Sequence, residues 1–224
     1  MFEACAEKRV LHLGCADYPD TTEKLARGTL LHLRVAEVAQ ALHGVDASAA
    51  GIELLRGAGV ADVAVADLER PQTFPAAFQD VDFDVLLAGE VIEHLPNPGA
   101  FLAGIRSYLR PQGVLIVTTV NAYCAHRFVH ALLTGRESVN PDHTQYFSRA
   151  TLTRLAEVHG YSVEDLRFYS ASEYEGHLNR GRYRLLWWCD RLAARYRPEL
   201  ADGIVARLTL DPKLPTRESE HDFA

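Results

Sequence analysis

The chain has 224 residues and a formal net charge of −7, with 48% hydrophobic and 24% charged side chains. That length suits one α/β core, with two domains a tight fit, and the composition excludes wholesale disorder. The acidic surplus counts against a long nucleic-acid footprint, which draws its affinity from neutralised phosphates.

Arg9–Leu13 is a short β-rich run that stops at Gly14. Thr29–Leu42 places Leu30, Leu33, Ala36, Val38 and Ala41 at helical spacing, which predicts a helix. His43–Asp46 predicts a strand, Ala49–Ala58 a helix and Val63–Ala66 a strand. Phe83–Leu87 is an apolar run of the kind found in central buried strands. Gly99–Leu109 is amphipathic, Arg110–Gly113 a turn and Val114–Thr119 another buried strand. Ser148 caps a predicted helix that Gly160 stops, and Tyr161–Tyr169 and Gly203–Leu210 predict two last strands. The alternation fixes the class as α/β: a Rossmann-like, doubly wound, largely parallel seven-stranded sheet with helices on both faces. Residues 1–211 are expected to form the domain, with an Arg/Trp-rich insertion at about 170–202 and a loose polar tail at 212–224.

No run of about 18 apolar residues predicts a membrane span. The opening MFEACAEKRV has no apolar core of a secretory signal. Cys5, Cys15, Cys124 and Cys189 are scattered without a CxxC, and read as reduced thiols of a cytoplasmic protein, not as a disulfide or zinc framework.

Ligands of such sheets bind beyond the carboxyl ends of the strands. The first strand ends in Val10-Leu-His-Leu-Gly-Cys-Ala-Asp-Tyr18. This resembles the first motif of class I S-adenosylmethionine-dependent methyltransferases, hydrophobic-Asp-hydrophobic-Gly-x-Gly-x-Gly. Gly14 takes the first glycine position, Ala16 and Tyr18 stand where the later glycines are usual, and His12 replaces the acid. The resemblance implies that His12, Gly14 and Ala16 line a cofactor loop, against the alternative of an ordinary β–α turn. Asp46 ends the second strand, where an acid accepts from ribose hydroxyls or caps the next helix. By the same resemblance Asp67, ending the third strand, faces the adenine amino group, and Gly89 completes the cofactor-binding set. A dinucleotide site is the rival, but Gly14-Cys-Ala-Asp-Tyr18 lacks the later glycines that let a helix approach a pyrophosphate.

Phe83-Asp-Val-Leu-Leu-Ala-Gly-Glu-Val-Ile-Glu-His-Leu-Pro-Asn-Pro98 closely resembles the fourth-strand motif of the superfamily that includes ubiquinone-biosynthesis O-methyltransferases. Leu109-Arg-Pro-Gln-Gly-Val-Leu-Ile-Val-Thr-Thr119 matches that family's turn into the fifth strand, and the likeness covers roughly residues 8–169. Glu90, Glu93 and His94 stand at i, i+3 and i+4, so one helical turn would project all three together. With His143 as a fourth ligand they would suit Mg²⁺ or Mn²⁺. This pattern is similar to the metal site of small-RNA 2′-O-methyltransferases. Metal-free relatives also carry Glu-His here, so both readings stand, with Glu90, His94 and His143 as catalytic candidates and His143 as ligand or general base.

Tyr174–Tyr196 gathers Arg180, Arg182, Arg184, Arg191 and Arg195 with Trp187 and Trp188. It reads as a helix with tryptophans inward, or as a substrate lid, a homodimer surface or a grip on an anion. The reading that follows is O-methylation of a small-molecule acceptor such as a catechol, diol or sugar, with S-adenosylmethionine and Mg²⁺ or Mn²⁺. Metal-free N- or C-methylation and a non-catalytic cofactor-binding scaffold remain as alternatives; nucleic acid and membrane partners are disfavoured.

Overall fold

In the computed structural model, residues 1–79, 81–170 and 191–212 are described. Seven strands form one sheet: β1 Arg9–Leu13, β2 Ala41–Asp46, β3 Val63–Val65, β4 Phe83–Gly89, β5 Leu109–Val120, β6 Tyr161–Tyr169 and β7 Gly203–Leu210. Their order is β3-β2-β1-β4-β5-β7-β6. β1 to β5 run parallel, while β7 lies antiparallel between β5 and β6. The helices are α1 Phe2–Cys5, α2 Thr21–Arg27, α3 Leu31–Ala36, α4 Ala49–Gly57, α5 Ala76–Gln79, α6 Pro98–Ile105, α7 Ala125–Thr134 and α8 Arg149–Val158.

Side-chain alternation divides the central strands between two cores. Leu11, Leu13, Leu86, Ala88, Leu115 and Val117 pack on one face with Phe101, Leu102 and Ile105 of α6. Val10, Val85, Leu87, Val114 and Ile116 pack on the other with Cys5 of α1 and Val35 of α3. Both faces are covered, which is why these strands read as apolar runs. Each buried leucine contributes about 1.5–3 kcal/mol.

Several boundaries differ from expectation, and α2 and α7 form where no helix is expected. The helix predicted over 29–42 is limited to Leu31–Ala36, because the amides of Gln40 and Ala41 turn to Lys8 O and the chain joins the sheet at Ala41. The polar stretch after Asp17 forms α2. The predicted turn Arg110–Gly113 lies inside β5, where the register against β4 slips between Phe83 and Val85. Asp84, the polar break in the β4 run, is buried and accepts from the Arg9 amide at 2.7 Å while pairing with the Arg110 guanidinium. α8 starts as read: Ser148 and Thr151 form a reciprocal capping box, and Gly160 follows the helix with φ 84°. Most of the Arg/Trp-rich stretch, 171–190, and the tail from 213 lie outside the described residues. Among those described, no helix is long and apolar enough to cross a membrane.

Candidate functional site

The carboxyl ends of β3, β2, β1 and β4 share one rim. Gly14 leaves β1 with φ 77°, and a Cβ there would stand 2.4 Å from Val91 Cγ2. Glycine is required both by the left-handed backbone and by the close turn after β4. Asp46 organises the loop that Gly14 opens. Its Oδ2 accepts the Ala16 amide and its Oδ1 the Ser48 amide, each at 2.8 Å. Ser48, not Asp46, is the cap of α4, accepting from the Gly51 amide at 3.1 Å. Each Asp46 oxygen thus keeps a lone pair for a further donor. Ala16, in a usual glycine position, is fully buried, and its Cβ fits because Gly51 has none; a Cβ on Gly51 would lie 2.7 Å away. Thr21 Oγ1 donates to Ala16 O at 2.7 Å and fastens the loop's far side.

Asp67 is exposed beyond β3, accepting from the Glu69 amide and facing Arg70 at 3.5 Å. Gly89 ends β4, where a Cβ would meet Leu31 Cδ2 at 3.2 Å. His12 is committed elsewhere. Its buried ring stacks on His32 of α3, with the two Nδ1 atoms 3.2 Å apart. One Nδ1 must carry the hydrogen and the other accept it, so the accepting ring is neutral. Burial holds both below the ordinary histidine range, His32 at about 4, and the neighbouring His32 lowers His12 further.

The stretch expected as a helical turn after β4 is a short hydrogen-bonded turn and not a helix, with the His94 amide donating to Val91 O at 3.0 Å. Glu90 takes φ 52°, and its amide donates to Thr118 O at 3.0 Å and Thr118 Oγ1 at 3.1 Å. The Glu90 carboxylate accepts from the Tyr169 hydroxyl across the sheet. Glu93 turns inward and is fully buried. Its Oε2 accepts from Thr119 Oγ1 at 2.9 Å, while its Oε1 has no partner among the described residues. Burial, then the charge of Glu90, pushes the Glu93 carboxyl up to about 8.

A second loop closes over this turn. The Thr144 amide donates to Glu93 O at 2.8 Å, and Gln145 Nε2 to Leu95 O at 2.8 Å. His143 therefore meets His94 edge-on, with ring centroids 4.6 Å apart. His94 Nδ1 lies 3.2 Å from Asp142 O; donation there leaves Nε2 its lone pair. His143 Nδ1 is buried with no hydrogen-bond partner among the described residues. Burial, then the charges of His94 and Arg127, lower His143, which favours the neutral imidazole.

Glu93, His94 and His143 each present a ligand atom within 4.8 Å of the others, and Glu90 falls outside this group. The expected quartet is thus a trio, because the positive φ at Glu90 swings its side chain to Tyr169. Two buried atoms without partners among the described residues, one on Glu93 and one on His143, together with the His94 imidazole fit a divalent ion. Sequence reasoning missed Tyr169, Thr119 and Thr144, each 26 or more residues from the group it touches. The only signal was a pair of threonines, Thr118 and Thr119, closing an apolar strand.

The model of a family described as "Methyltransferase domain" matches residues 3–166. A probable S-adenosylmethionine-dependent methyltransferase of Mycolicibacterium smegmatis is 30% identical over 162 residues, 72% of this chain and 54% of that protein. A ubiquinone biosynthesis O-methyltransferase of Pasteurella multocida is 26% identical over 124 residues, 51% of this chain and 47% of its own length. The chain thus spans about half the length of the curated relatives it matches. A Haloferax volcanii methyltransferase, solved in complex with a methyltransferase activator, superposes with a TM-score of 0.58 at 16% identity, over 92% of this chain and 83% of that one.

Proposed function

Because this chain belongs to the class I S-adenosylmethionine-dependent methyltransferase superfamily, we propose that it transfers the cofactor's methyl group to an oxygen of a small hydroxylated acceptor such as a catechol, a diol or a sugar. In this reading Gly14, Ala16, Asp46, Asp67 and Gly89 form the cofactor rim. The carboxylate of Asp46, oriented by two amides and keeping free lone pairs, suits a ribose diol. His12 contributes from beneath the loop through His32, not by touching the ligand.

The observation that carries the reading is the convergence of Glu93, His94 and His143, whose ligand atoms lie within 4.8 Å of one another, with Glu93 and His143 each offering a buried atom that has no hydrogen-bond partner among the described residues. Glu93, His94 and His143 would hold the ion, and their one-oxygen, two-nitrogen set suits Mn²⁺ better than Mg²⁺. A bound divalent ion supplies a lower pKa to a chelating hydroxyl. His143 serves either as a ligand of the ion or, where it is not coordinated, as the neutral base that takes the acceptor proton as the methyl passes from sulfur to oxygen. The remaining work is alignment of oxygen, methyl and sulfur. Relatives named ubiquinone biosynthesis O-methyltransferases support oxygen as the receiving atom. A second reading, metal-free N- or C-methylation, draws on the raised pKa of Glu93, which makes it a neutral acid pinned by Thr119.

A panel of catechols, sugars and amines assayed after chelation and after Mn²⁺ return separates these. Chelation is expected to lower O-methylation by about 100-fold, the scale of lost proton activation, with Mn²⁺ restoring it and Glu93→Gln mimicking the loss. Activity indifferent to both would leave only the metal-free reading. Calorimetric titration with S-adenosylhomocysteine should show binding that Asp46→Ala abolishes; retained binding would overturn the cofactor rim.

A further inference from the structure

Beyond the methyl-transfer rim, where α7 leaves β5 and meets the start of β7, three buried side chains converge on one point. Cys124 is 1% exposed, His126 6% and Asp202 5%. Cys124 Sγ lies 2.9 Å from His126 Nδ1 and 3.2 Å from Asp202 Oδ1, and His126 Nδ1 lies 3.0 Å from the same Oδ1. All three ligand atoms fall within 4.8 Å of one another. From this convergence we propose that Cys124 Sγ, His126 Nδ1 and Asp202 Oδ1 form a site for a zinc-class divalent cation, distinct from the Glu93–His94–His143 trio.

Hydrogen bonding alone fits the triangle poorly. If the imidazole is neutral, it and the thiol bring two hydrogens, and both are drawn to Asp202 Oδ1. The third edge, between sulfur and nitrogen, is the shortest and has no hydrogen of its own. A cation removes the difficulty. Thiolate and carboxylate together carry two negative charges, which a divalent ion neutralises in a place where an unbalanced charge is costly. Bonds of about 2.0–2.3 Å at tetrahedral angles need the ligand atoms to spread only by several tenths of an ångström. The sulfur selects: a thiolate with an imidazole and a carboxylate suits Zn²⁺, and not the Mg²⁺ or Mn²⁺ class.

The frame around the site is already built. The Asn121 amide donates to Asp202 O at 2.7 Å, and Asn121 Nδ2 donates to Glu199 O and Ala201 O, each at 2.7 Å. Cys124 is the N-cap of α7 and His126 its second residue, and the non-helical backbone at Cys124 lets both side chains reach Asp202. An ion here would clamp the end of β5 to the entry of β7. Arg127 follows directly and lies over the Tyr146 ring, itself packed on His143, so the clamp would also steady the acceptor side of the rim.

The test uses the intact chain, freed of metal and titrated with Co²⁺ and then with Zn²⁺. A sulfur-to-cobalt charge-transfer band should rise to one equivalent and be displaced by Zn²⁺, with a saturable rise in Tm. Cys124→Ser should abolish the band, and Asp202→Asn should weaken binding at least tenfold. His143→Ala should leave the band intact, which separates this site from the rim. No band in the unaltered chain, or a band of unchanged intensity in folded Cys124→Ser, would overturn the proposal; the first result is independent of whether the variants fold.

Discussion

The two halves of the rim are assembled in opposite ways. The half built on β1, β2 and β3 is local in the sense that its loop hydrogen bonds stay within residues 14–51, with Asp46 reaching Ala16 and Ser48. The half built on β4 and β5 is stitched from far away, with Tyr169 meeting Glu90 across 79 residues and Thr144 meeting Glu93 across 51. The local half needs few residue types in fixed places, and an alternative side chain is compensated by a neighbour, as Gly51 accommodates Ala16. The distant half depends on β6, β7 and the loop before α8 being in place first. A change in the local half should therefore damage cofactor binding and stability together. A change in the distant half should damage acceptor turnover while sparing cofactor binding.

The largest expected effect is Gly14→Ala. The φ of 77° and the 2.4 Å approach to Val91 Cγ2 add backbone strain to overpacking, together about 4 kcal/mol. Urea unfolding should show that loss, and S-adenosylhomocysteine binding should fall with it. A variant as stable as the parent would mean that the loop moves freely against the β4 turn, and the contrast between the halves would collapse.

Acid should distinguish the halves next. His12 and His32 are buried neutral in the local half, with folded pKa values below the unfolded value of 6.5, His32 at about 4. Below pH 6.5 the unfolded chain takes up protons that the folded one refuses, so stability falls as pH drops. The loss runs from about 6.5 to about 4 and amounts to roughly 2–3 kcal/mol for a shift of this size. His32→Gln should flatten that slope in pH-dependent unfolding. An unchanged slope would place the acid sensitivity elsewhere.

The same contrast explains what the sequence disclosed. Arg9–Leu13, Gly203–Leu210 and Tyr161–Tyr169 are bounded as their β-rich runs predict, because both cores demand alternation there. Gly14 and Asp46 stand at strand ends that short-range patterning identifies. The spacing of Glu90, Glu93 and His94 suggested one helical face, yet Glu90 takes a positive φ with its amide on Thr118 of the neighbouring strand, and only a short turn follows. No local pattern carries that preference. The cluster of Cys124, His126 and Asp202 was hidden for the same reason, since its sequence partners are 78 residues apart.

The smallest effect tests the distant half most directly. Tyr169 lies opposite Gly203 in the β6–β7 register, and a Cβ on Gly203 would stand 2.3 Å from Tyr169 Cζ. Glycine at 203 thus gives the ring its path to Glu90. Burial, then the Glu90 charge, pushes the Tyr169 phenol up, so it stays a donor throughout the working pH range. Tyr169→Phe removes only the hydroxyl, and a hydrogen bond to a charged group is worth about 1.5 kcal/mol, close to tenfold. Gly203→Ala keeps the hydroxyl but forces the ring aside. Both variants should lower kcat for the acceptor by about tenfold while S-adenosylhomocysteine affinity holds, and Gly203→Ala should also lose stability. If cofactor affinity falls in step with kcat, Glu90 serves the cofactor and not the acceptor, and the division between the halves must be redrawn at β4.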